Sequence, residues 1–214
     1  EESFLQQLNL EGKTVYDIGG WEGVFTLFFA RRVGEKGTVI TFEPHPDNYQ
    51  RILENVRLNE FHNVQVRPLA LGEGQYQTAL VLERPLTGTG TIAEEANVGV
   101  EQKQGARAFQ VQVDSLDHQV EAYNLPLPDL VKIDVEGMEL AILKGMTNLV
   151  IRARPQLFIE VHRISTEAKG RNARDVVRWL GDHGYSINHI EFGQKLTTGE
   201  EPEIEGGHLS CIAA

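Results

Sequence analysis

Apolar runs and amphipathic stretches alternate along the chain at the periods of strand and helix. Thr14–Ile18 and Thr38–Phe42 are short apolar runs of buried-strand length. Each stops at a turn signal, Gly19-Gly20 after the first and Glu43-Pro44 after the second. Between them Val24–Arg32 is mostly apolar, which predicts a helix buried against a sheet. Asp47–Asn59 carries Tyr49, Ile52, Leu53 and Val56 at helical spacing behind a Pro46-Asp47 start signal. Val64–Leu69 predicts a third strand, and residues 3–9 an incoming helix with Phe4, Leu5 and Leu8 on one face. Strands and helices alternating over such short loops predict a parallel, doubly wound α/β sheet.

The same alternation returns in the second half. Leu130–Ile133 predicts a strand ending at Asp134, Met138–Met146 a helix, and Leu157–Val161 a strand ending near His162. Ala173–His183 predicts a helix stopped by Gly184, and Tyr185–Phe192 and His208–Ala213 two closing strands. Between the halves, about residues 76–113, Thr78–Leu82 and Phe109–Val113 read as strands of a hairpin-like insertion. The stretch it encloses, about 85–108, is rich in Gly, Thr and Glu and has no periodicity. A loop of that length inside a compact domain is either a working part, such as a lid over a substrate, or a solvated excursion. No repeat or linker interrupts the chain, so residues 1–214 form a single domain.

Composition narrows the function classes. The 214 residues are 41% hydrophobic and 24% charged, within the range of an ordinary globular domain. The net charge of −11, with no cluster of five or more Lys and Arg, argues against a nucleic-acid partner. Cys211 is the one cysteine, which excludes a disulfide framework, and its apolar neighbours predict an inert buried thiol. No apolar run approaches a membrane span, and no leader pattern is visible, so the expectation is no membrane partner and a cytoplasmic location.

In an open parallel sheet, ligands bind beyond the carboxyl ends of the strands. The first strand ends Asp17-Ile18-Gly19-Gly20-Trp21-Glu22-Gly23, and a helix follows at once. Glycines allow a tight turn and close approach to the backbone. The dinucleotide fingerprint G-x-G-x-x-G is missing, and the carboxylate of Asp17 would repel a pyrophosphate. It suits a cofactor that is cationic at this point, such as S-adenosylmethionine. Glu43 lies 20 residues after Gly23, at the end of the second strand, where an acid can accept hydrogen bonds from both ribose hydroxyls.

These residues reach a known pattern. D-x-G-x-x-x-G at 17–23, F-E-P at 42–44, L-A-L-G at 69–72, Leu116-Asp117 and K-I-D-V-E-G at 132–137 resemble, in order and spacing, the FkbM family of S-adenosylmethionine-dependent methyltransferases. The loop departs from the family at Trp21-Glu22, where small or polar residues are more usual; an aromatic there either stacks near the methionine end or closes the pocket. The resemblance implies a class I methyltransferase (Rossmann-like) sheet of seven strands in the order 3-2-1-4-5-7-6, with the last strand antiparallel. It also implies that Asp17, Gly19 and Gly23, with Gly20 and Trp21 in the same turn, line the methionine portion. Glu43 would hold the ribose, and Pro44 with Ala70-Leu71 would border the adenine. Asp117 reads as structural, a helix cap.

Catalysis is expected at the ends of the fourth and fifth strands. Asp134, Glu136 and Glu139 crowd the fourth; Glu139 reads as capping or solvating the next helix. Glu160 and His162 share a face on the fifth by the period of two. Asp134, Glu160 and His162 make either an oxygen–nitrogen site for a divalent metal or a base with its orienting partner. His45 reads as a turn residue, with adenine stacking as its alternative. The absence of an N-P-P-Y or D-P-P-Y tetrapeptide disfavours base amino-group methylation. The expected activity is O-methylation of a small hydroxylated acceptor, such as a sugar, a polyketide or another secondary metabolite. The rival readings are a non-catalytic methyltransferase-like binding module and an NAD(P)-dependent oxidoreductase.

Overall fold

The computed structural model describes residues 2–82, 90–92, 107–161, 167–196 and 206–213. His162 and most of the loop read as a lid lie outside these residues.

The two βα units expected at the start are present. Strand β1 is Thr14–Ile18, helix α2 Val24–Val33, strand β2 Thr38–Phe42, helix α3 Pro46–Leu58 and strand β3 Val64–Arg67. The incoming helix shortens to α1, Glu2–Leu5. Beyond the insertion come β8 (Leu130–Asp134), β9 (Gln156–Val161), α7 (Glu167–Asp182), β10 (Tyr185–His189), β11 (Gln194–Leu196) and β12 (Gly207–Ala213).

The main sheet has the order β11-β10-β12-β9-β8-β1-β2-β3. Without β11 this is the expected 3-2-1-4-5-7-6, and β12 runs antiparallel to both its neighbours. The sheet therefore has eight strands rather than seven, because the short β11 pairs along the outer edge of β10.

The sheet faces bury different cores. Val15, Val39, Leu130 and Phe158 pack under Leu5 of α1 and Phe29, Ala30 and Val33 of α2. The opposite face, with Tyr16, Ile40, Val131 and Ile159, packs against helices that include α7. Each such side chain contributes roughly 1.5–3 kcal/mol by burial, so the two helical layers fix where the strand ends project.

The insertion is a second sheet rather than a simple hairpin. Its order is β4-β7-β5-β6, with β4 at Ala70–Leu71, β5 at Tyr76–Leu82, β6 at Gly90–Ile92 and β7 at Arg107–Asp114. β5 and β7 form the expected antiparallel pair.

Two helical expectations need correction. Helix α4, Leu116–Tyr123, was not foreseen; Ser115 caps it. The helix expected at Met138–Met146 is present as α5 (Glu139–Lys144), and a further helix that was not expected, α6 (Thr147–Ala153), follows it. Asp117 is structural as expected, but it caps α6, its carboxylate accepting from the backbone N–H groups of Asn148 and Leu149 at 2.9 and 2.7 Å. Cys211 is buried in β12, and burial raises its thiol pKa well above the ordinary value.

Candidate active site

The turn after β1 is built from backbone. Gly19 and Gly20 donate their N–H groups to the carbonyl of Phe42, which pins the turn to the end of β2. Gly19 has φ +83°, and a Cβ there would lie 2.0 Å from the carbonyl oxygen of Asp134. The turn thus rests directly on the end of β8, and only glycine allows that approach. Gly20 faces the side chains of Thr41 and Ile52, a Cβ there lying 2.4 Å from the Thr41 methyl and 3.0 Å from Cδ1 of Ile52. Gly23, at φ 92°, is the N-cap of α2 and offers no side-chain cap.

Trp21 occupies the turn at φ 48°, a conformation unusual for a non-glycine residue, and the residue is 48% exposed. What holds it is its own N–H, which donates to Oε2 of Glu43 at 2.8 Å. Oε1 of Glu43 accepts from the N–H of His45 at 2.8 Å. Burial is the largest influence on this carboxyl and raises its pKa to about 7 against these hydrogen bonds. Pro44 follows, half-buried. His45 is the N-cap of α3, its Nδ1 accepting from the N–H of Asn48, and its ring meets Phe109 of β7 edge-on at 4.6 Å. Ala70 and Leu71 are buried in β4, at the base of the second sheet.

Asp17 differs from its expected presentation. Its side chain is 0% exposed and lies one layer beneath the turn, on the α2 face of the sheet. Oδ2 accepts from the Thr26 hydroxyl at 2.7 Å, and Oδ1 is 3.5 Å from Nζ of Lys132. Burial raises the pKa of this carboxyl, while Lys132 and Thr26 oppose the rise. The turn therefore does not present a bare carboxylate to a ligand; the charge is held below it and faces a cation.

Register gathers the acids. Asp134 pairs with Glu160 across β8 and β9, and Glu160 with His208 across β9 and β12, so the three share one face of the sheet. Nε2 of His208 is 3.5 Å from Oε2 of Glu160, and its Nδ1 is hydrogen-bonded to Glu191. Glu136 is half-buried in the turn after β8. Glu139 does not face solvent: it is buried, accepting from the N–H of Gly137 at 3.3 Å and from Asn172 at 2.5 Å. Among the described residues no group of three or more His, Cys, Asp or Glu side chains is arranged to hold a metal ion.

Sequence reasoning missed Lys132 and His208. Lys132 is signalled by one cation inside an otherwise apolar strand, two residues before Asp134 on the same face. His208 carries no local signal, because only the placement of β12 beside β9 brings it to Glu160.

A family model described as the methyltransferase FkbM domain matches residues 16–187, from β1 into β10. The chain belongs to the FkbM methyltransferase family. This FkbM domain is 28% identical over 175 residues to a hexuronic acid methyltransferase of Haloferax volcanii, covering 80% of the chain and 63% of the relative. It is 31% identical over 144 residues to methyltransferase 1 of Beauveria bassiana, covering 62% of the chain and 57% of the relative. It thus spans about three-fifths of the length of both curated relatives. Among solved structures it is similar to an FkbM methyltransferase from Methylobacillus flagellatus, with TM-score 0.58 and 18% identity over 96% of this chain and 45% of that one. It also shares its fold with Aeropyrum pernix fibrillarin in complex with S-adenosyl-L-methionine, with TM-score 0.53 and 12% identity over 96% and 69% of the two chains. The FkbM domain is therefore a class I methyltransferase fold. No described helix is long and apolar enough to cross a membrane.

Proposed function

We propose that this FkbM domain is an S-adenosylmethionine-dependent O-methyltransferase acting on a hydroxyl of a small molecule. The observation that carries the reading is the Glu43 carboxylate, buried behind the glycine turn and fixed by two backbone N–H groups from opposite sides. Each oxygen accepts one such bond and the Asn48 side chain donates a further one, so of the roughly four acceptor directions of a carboxylate one stays available to a ribose hydroxyl. Gly19 and Gly20 let the turn pack directly on Asp134, Thr41 and Ile52, where a side chain at either would collide with the protein itself. These residues fit the cofactor's adenosine and the turn beside it.

When bound, the cofactor supplies a methyl group on a sulfonium, already activated toward displacement. The protein's task is then to place the acceptor oxygen in line, at roughly 3–3.5 Å from the methyl carbon. Asp134 ends the strand against which Gly19 packs, which puts its carboxylate beside the turn on the acceptor side. It accepts the hydrogen bond of the acceptor's hydroxyl and takes up its proton as the new bond forms. Glu160, beside it in register, and Glu136, in the turn beyond, border the acceptor side.

The Haloferax relative is named for hexuronic acids, which makes sugar acids and their neutral sugars the first acceptors to test. Calorimetry with S-adenosylhomocysteine tests the cofactor half, and mass spectrometry of a panel of hydroxylated acceptors incubated with S-adenosylmethionine tests the transfer. Binding with a mass gain of one methyl group is expected. Absence of binding sinks the whole reading; binding without any methylated product favours a binding module.

A further inference from the structure

Lys132 is the most deeply buried cation among the described residues, 1% exposed in the middle of β8. Its ammonium lies 3.1 Å from Oδ2 of Asp134 and 3.5 Å from Oδ1 of Asp17, above the ring of Phe25 at 4.8 Å. One partner stands under the cofactor turn and the other at the acceptor-side strand end. A lysine is rarely buried in this way unless it is paired, because desolvating an ammonium costs several kcal/mol. Pairing with Asp17 alone would satisfy that need. The second, closer contact is to the carboxylate assigned to the acceptor. It gives direction to a side chain that is itself 28% exposed.

We propose that Lys132 is a positioning residue that joins the two halves of the site, holding Asp17 under the glycine turn and Asp134 in its direction toward the acceptor. This deepens the methyl-transfer reading and rests on it. Asp17, Lys132 and Asp134 then form one charge chain from turn to strand end. The backbone contact of Gly19 with Asp134 runs parallel to it.

The test uses Lys132→Met and the double variant Asp17→Asn/Lys132→Met, which removes both buried charges together and guards against misfolding of the single variant. Three quantities are read: S-adenosylhomocysteine affinity by calorimetry, kcat and KM on the acceptor that the wild type methylates, and the Asp134 side chain in a crystal structure with S-adenosylhomocysteine. K132M alone leaves Asp17 buried beside Asp134 without its cation, and affinity is expected to fall about tenfold or more. The double variant is expected to recover affinity to within about threefold. Its kcat should stay about 10–100-fold low at little-changed KM, because the contact of Lys132 with Asp134 is still missing. In the crystal the Asp134 carboxylate should leave its present place. Recovery of affinity and kcat together, or an Asp134 carboxylate unmoved in the double variant, overturns the proposal. A wild type that binds no S-adenosylhomocysteine instead overturns the methyl-transfer reading, and the side-chain position in crystals without ligand still decides the role of Lys132.

Discussion

The backbone N–H of Trp21 donates to the Glu43 carboxylate at 2.8 Å, so the turn after the first strand is fastened by the side chain that ends the second. Glu43→Gln keeps one carbonyl acceptor and loses the charge and one acceptor site. S-adenosylhomocysteine affinity should fall at least about tenfold, as one hydrogen bond to a charged group is worth roughly 1.5–3 kcal/mol. Calorimetry at constant pH measures this, and an unchanged affinity would remove Glu43 from the ribose role.

The raised pKa of Glu43, about 7, makes cofactor affinity depend on pH. The ionised carboxylate accepts a ribose hydroxyl more strongly than the protonated acid, so affinity should rise between pH 6 and 8. For the ligand-free protein the sign is opposite. Between its ordinary 4.5 and about 7 the carboxyl is ionised when unfolded and protonated when folded, so its contribution to stability falls as pH rises through that window. Affinity in Glu43→Gln should lose this slope. A wild-type profile flat from pH 6 to 8 would contradict the assignment.

Asp134→Asn should abolish most turnover while holding S-adenosylhomocysteine affinity within about threefold, since the acid acts on the acceptor and not the cofactor. Paired turnover and calorimetry measurements check this. Full turnover in the variant would place the base elsewhere.

Gly19 and Gly137 separate steric from conformational cost. Both have positive φ, +83° and +86°, but a Cβ at Gly19 meets the Asp134 carbonyl at 2.0 Å and one at Gly137 meets nothing within 4 Å. Gly137→Ala should cost about 1–2 kcal/mol, the strain of a left-handed non-glycine residue. Gly19→Ala should cost more than that and weaken cofactor binding as well. Urea midpoints rank the two, and equal losses would mean the turn yields without disturbing β8.

The strand ends were legible because each carries its own punctuation: Gly19-Gly20, Glu43-Pro44 and Asp134 through Gly137 all stop apolar runs. The order of the sheet came with the family resemblance. What escaped was held by distant contacts. Gly145, the C-cap of α5 before the unexpected α6, has its missing Cβ replaced by the carbonyl of Gly72, 2.0 Å from where that Cβ would be, and nothing near Gly145 in the chain announces that neighbour. β4, β6 and β11 are two or three residues long, too short for any period to declare itself. The depth of Asp17 was equally hidden: a strand-end acid looks the same in sequence whether it faces the cleft or the helix above it, and only Thr26 and Lys132 decide which.

The antiparallel strand β12 has a consequence for synthesis. It lies between β9 and β10, both of which leave the ribosome before it. Until residues 207–213 emerge, those two strands have no common partner, and each offers an open edge to other chains. A nascent chain stalled in the stretch before β12 should therefore be a substrate for chaperones, and completion of this one strand is the event that seals the sheet.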